Sequence, residues 1–86
     1  MQRAEARLLK NQISDFIGAG FGVTPAEKIT FNDYVQRSVG LIPARELLEL
    51  IGDLLHERFM RANNTAQSNS IMEEFHKIYP GRHWLL

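Results

Sequence analysis

The sequence predicts an all-α fold of four main helices. Three observations carry that expectation. Apolar residues recur at helical spacing in four segments, helix-start and glycine-stop signals separate those segments, and no stretch reads as a credible strand. Ile29 to Val35 could be taken as an alternating run, but the helix-start signals on either side favour helix.

The first helix is expected over about 2–17. Leu9, Ile13, Phe16 and Ile17 fall on one helical stripe. Gly18, Gly20 and Gly22 follow at once, and glycine just past the last periodic residue is a common helix stop. The Gly18-x-Gly20 spacing starts a phosphate-binding pattern, but Val23 stands where its third glycine belongs and no strand precedes it.

The second helix is expected over about 25–39. Thr24-Pro25-Ala26-Glu27 supplies a capping hydroxyl, a proline suited to the first helical turn, and a carboxylate able to reach back to the start. Thr30-Phe31-Asn32-Asp33 resembles a second start, which predicts a break near 30. Phe31, Val35 and Val39 share a face, with Tyr34 at its edge, and Gly40 ends the helix.

Pro43 disfavours helical backbone at Ile42 and opens the third helix, expected over about 43–62. Ala44, Leu47, Leu48, Ile51, Leu54, Leu55 and Phe59 form a stripe broad enough for a central helix contacted from two sides. Gly52 lies at the edge of that stripe, consistent with a surface position or with a close helix crossing.

A polar run from Asn63 to Ser70 follows. Ser70 and Glu73 have capping-box spacing, so the fourth helix is expected from 66 or 70 to 79. Ile71, Met72, Phe75, Ile78 and Tyr79 supply its apolar face, and Pro80-Gly81 stops it. An apolar C-terminal tail then carries Arg82, His83, Trp84, Leu85 and Leu86. The whole chain, 1–86, reads as a single helical domain.

Composition narrows the function classes. Hydrophobic residues make up 44% of the chain and ten basic residues balance ten acidic ones, which argues against a disordered polyampholyte. Zero net charge also argues against attachment to nucleic acid by bulk charge. The absence of cysteine excludes disulfides, thiolate zinc sites and thiol catalysis. Met1 to Gln12 is charged throughout and lacks the apolar run of a secretory signal, so the expected setting is cytoplasmic. No membrane span is expected, because no stretch approaches about 20 apolar residues.

Two carboxylate-x-x-His pairs, Asp53/His56 and Glu73/His76, have a spacing found in helical metal sites. Helical projection turns them away from the apolar stripes, so no metal ligand, cofactor or catalytic residue is assigned. The expected class is not an enzyme.

Two binding classes remain. The favoured one is a small helical protein–protein interaction module, an adaptor, inhibitor or regulator, with homodimerisation left open. Its candidate partner-binding residues are Arg82, Trp84, Leu85, Leu86, Leu50 and Met60, from residue types that interface cores favour or positions outside the four stripes. Leu8, Phe21, Leu41 and Ile42 are further apolar residues that the stripes do not absorb. The alternative is a helix-turn-helix DNA binder using 65–79, with Arg58, Arg61, Thr65, Gln67 and Asn69 at the nucleic acid. Against that alternative stand the lack of a basic segment and the expected position of Glu73 and Glu74 in the first turn of the recognition helix.

Overall fold

A computed structural model describes residues 2–81. It holds four helices: α1 (Gln2–Gly18), α2 (Pro25–Ser38), α3 (Ala44–Arg61) and α4 (Thr65–Ile78). No strand occurs among the described residues, and no helix there is long and apolar enough to cross a membrane. The radius of gyration, 12.3 Å, is that of a compact chain of this length.

The α1–α2 hairpin is the centre of the packing. α1 contacts both α2 and α3, and α2 contacts both α1 and α4. The breadth of its stripe predicted that place for α3, which instead packs mainly on α1. Leu47, Ile51 and Leu55 are buried, whereas Phe59 is 59% exposed at the helix end. Gly52 is exposed and nothing approaches the position its Cβ would take, so it marks no close crossing.

Leu9, Ile13, Phe16 and Ile17 of α1 meet Phe31 and Val35 of α2 in the core, joined by Ile42, by Leu47, Ile51 and Leu55 of α3, and by Ile71 and Phe75 of α4. The Phe16 ring stacks on Phe31 at 6.1 Å and meets the Tyr34 edge at 5.6 Å. These contacts set α1 and α2 antiparallel, with the end of α1 beside the first half of α2.

α2 runs without the break expected near 30. Thr30 is an interior residue whose hydroxyl donates to the Ala26 carbonyl at 3.1 Å, an i−4 bond that a helix accommodates. Val39 caps the helix and is half exposed, while Ser38 takes the inward position and donates to the Val35 carbonyl. α4 begins at Thr65, earlier than the Ser70/Glu73 spacing suggested. The Asn63 carboxamide accepts from the Thr65 amide and hydroxyl, and that turn starts the helix. Glu73 and Glu74 therefore lie two turns inside α4, and the expected clash with phosphates at the helix start does not apply.

Candidate partner-binding surface

The link between α1 and α2 is built by side chains that saturate backbone. Thr24 and Glu27 form the expected capping box, with the Glu27 amide donating to Thr24 Oγ1 at 3.3 Å. One Glu27 oxygen also accepts from the amides of Gly22, Val23 and Thr24 at 3.1–3.2 Å. Hydrogen bonds from the Thr24 amide and then the Gly22 amide hold the Glu27 carboxyl below its ordinary pKa, because they favour the charged form. Gly22 completes the turn at φ 118°, and a Cβ there would lie 3.0 Å from Ile71. Only glycine suits both conditions.

The other side of this link is the C-terminus of α1. The Gly20 and Phe21 amides close back on the carbonyls of Ile17 and Phe16, and no basic residue stands in the last turn of α1. Donors arrive from across the molecule. Gln67 Nε2 donates to the carbonyls of Ile17 at 3.0 Å and Phe21 at 2.8 Å. Gln67 Oε1 accepts from Arg58 Nε at 3.3 Å, and Arg58 Nη1 donates to the Gly18 carbonyl at 3.2 Å. Arg58 thus places positive charge at the negative end of α1, where it is favourable.

This network accounts for two residues considered as DNA readers. Gln67 is buried and both its amide hydrogens are engaged, while Arg58 is held by two acceptors. Arg61 is exposed and pairs with Glu57. Thr65 and Asn69 are exposed and line an open polar hollow of about 600 Å3 with Arg58, Asn63 and Asn64. Asn64 itself is buried, with Nδ2 donating to the Leu55 carbonyl at 3.0 Å and Oδ1 accepting no hydrogen bond among the described residues.

Of the residues considered for partner binding, Met60 is 73% exposed and Leu50 is half-buried. Arg82, Trp84, Leu85 and Leu86 lie outside the described residues. Asp53, His56, Glu73 and His76 are all exposed. Among the described residues, no group of three potential metal ligands converges.

A furrow between α1 and α2 brings together residues that the sequence left unplaced. Near the start of α1, a hollow of about 400 Å3 is lined by Glu5, Leu8, Leu9, Gln12, Arg37 and Leu41. At Gln12 it meets a second hollow, about 420 Å3, which runs by Asp15, Phe16 and Tyr34 to Phe21. Leu9 and Phe16 form the floor and Tyr34 and Leu41 are half-buried, while Leu8 is 60% exposed on the rim. The Arg37 guanidinium lies 6.0 Å from the Tyr34 ring centre and pairs with Asp33 at 2.7 Å. Glu5, across the furrow, has no ion-pair partner among the described residues.

Leu8 and Leu41 were legible as surplus apolar residues, but their meeting was not, because α1 and α2 join only through the tertiary fold. The task of Gln67 left one trace in the sequence: a helix ending in glycines, with no nearby cation to serve its carbonyls. Comparison with family models, with curated proteins and with solved structures gives no match to this chain.

Proposed function

We propose that the chain is a helical protein-interaction module, an adaptor, inhibitor or regulator that binds through the α1–α2 furrow. The observation that carries this reading is Leu8. A large aliphatic side chain stands mostly exposed on the rim of an apolar trough that extends from Glu5 to Phe21. A single exposed leucine is ordinary, whereas one continuous with an apolar floor of Leu9 and a half-buried Leu41 fits a docking face. The apolar face of further helices is what such a trough between two helices accepts. The reading assigns no catalytic step and no cofactor.

DNA binding through α4 has less support. Arg58 and Gln67 serve the end of α1, so extending them to bases or phosphates would break their hydrogen bonds to the carbonyls of Gly18, Ile17 and Phe21. Arg61, Thr65 and Asn69 remain as exposed candidates, with one cation among them.

The test is capture from a host extract by the immobilised chain, with Leu8→Glu beside it. The expected result is a protein retained by the parent and lost with the variant. Equal retention by both would reject the furrow as the binding face. Titration of labelled host DNA at low salt tests the other class: a retarded complex weakened by Arg61→Glu would favour DNA.

A further inference from the structure

We infer that the occupant of the furrow is the furrow of a second copy of this chain, related by a two-fold axis passing over the apolar floor midway between the Glu5 and Arg37 rims. The inference rests on the interaction-module reading and names its partner. In an isologous interface one patch meets itself, so residue i touches j of the partner while j touches i. A patch suited to this carries opposite charges on opposite sides of an apolar centre. The furrow has that arrangement: Glu5 stands with Leu8 on the α1 rim, Arg37 on the α2 rim, and Leu9 and Leu41 between them.

Rotation about that axis brings each Glu5 towards the other copy's Arg37, and each exposed Leu8 towards the other copy's Leu41 over the apolar floor. Arg37 can accept this second carboxylate while keeping Asp33, because a guanidinium carries five N–H donors. Glu5 has no ion-pair partner among the described residues. An unrelated partner would have to present base and acid in the matching order, which a second copy does by symmetry. The zero net charge also removes the long-range repulsion that would oppose self-association.

The size of the face sets the strength. From Glu5 to Ala19, α1 rises roughly 20 Å, and two adjacent helices span a similar width, giving about 400 Å2 per copy. The total of about 800 Å2 is below the range of stable specific interfaces, which makes this a weak, transient dimer with a dissociation constant above the micromolar range.

The experiment is sedimentation equilibrium from about ten micromolar to about one millimolar chain, a range matched to so small an interface. The parent mass is expected to rise towards that of a dimer. Glu5→Arg and Arg37→Glu, both at exposed positions, should each weaken association about tenfold or more, as like charges then face each other. An equimolar mixture of the two variants should associate again, because each supplies the sign that the other lacks. Circular dichroism of the separate variants checks that their helix content is unchanged.

A parent that stays monomeric throughout would overturn the inference. So would association unaffected by either charge reversal, or a mixture no better than the single variants. A monomer that still captures a host protein in a Leu8-dependent way would reject the second copy and keep the interaction module. Leu8-independent capture or none would reject the furrow as a docking face for other proteins.

Discussion

Between Gly18 and Thr24, the α1–α2 hairpin is closed by Glu27, Gln67 and Arg58, whose side chains all turn onto backbone groups. At the other end, Glu5 and Arg37 face each other across an apolar trough and touch no backbone acceptor or donor recorded there. Both regions combine charged or amide side chains with nearby aromatic or aliphatic ones. In the first, the polar groups complete the termini of two helices, so they belong to folding. In the second, Glu5 stands in the first turn of α1 and Arg37 in the last turn of α2, yet neither bonds a backbone group, so the same residue types remain for another surface. Residue chemistry does not distinguish the two cases. Whether a nearby backbone group needs the side chain does.

The largest expected effect lies in the core beneath both regions. Ile51→Ala should destabilise by about 2–5 kcal/mol, measured by urea unfolding, and a change below about 1 kcal/mol would mean the α3 face is misassigned. Next comes the closed end. Gln67→Leu keeps much of the volume but removes both bonds from its amide, leaving the Ile17 carbonyl with the Gly20 amide alone, for an expected loss of about 1–3 kcal/mol. A neutral outcome there would remove the contrast between the two ends and free Gln67 for a role at the surface.

Acid should act on the closed end as well. The Glu27 carboxyl titrates below its ordinary value in the folded chain, so its contribution is present above the ordinary carboxylate range and is lost as pH falls through the folded value. Replacing Glu27 by Gln should therefore lower the melting temperature near neutrality and flatten the loss of stability on acidification. An acid profile unchanged from the parent's would show that other carboxylates dominate. Lys77 has the opposite sign: Glu74 raises it, so its share is present below the ordinary lysine value and fades as pH climbs through the raised one. The smallest effect on folding belongs to the furrow, where Leu8→Glu should change unfolding free energy by no more than about 0.5 kcal/mol. A large loss in the isolated chain at low concentration would make Leu8 part of the core.

The legible part of the fold was its local part. The Thr24-Pro25-Ala26-Glu27 start appears as written, because a capping box is complete within four residues. Thr30 misled because a threonine hydroxyl can bond back to the preceding turn as readily as it can cap a new one. Ser70 misled in the same way, since the turn made by Asn63 and Thr65 had already begun α4. Gln67 was unreadable in its role because its acceptors lie 46 and 50 positions away. The furrow was half-legible: periodicity marked Leu8 as lying off the α1 stripe, and only the hairpin places Leu41 and Arg37 beside it.

The most direct test of the account is the amide spectrum of the isotopically labelled chain recorded at rising protein concentration. A chain of 9.9 kDa is well suited to residue-by-residue assignment. The account predicts progressive shifts at Glu5, Leu8, Gln12, Arg37 and Leu41, with Thr65 and Asn69 unmoved. Shifts centred on Thr65–Asn69, or a spectrum that does not change with concentration, would contradict it.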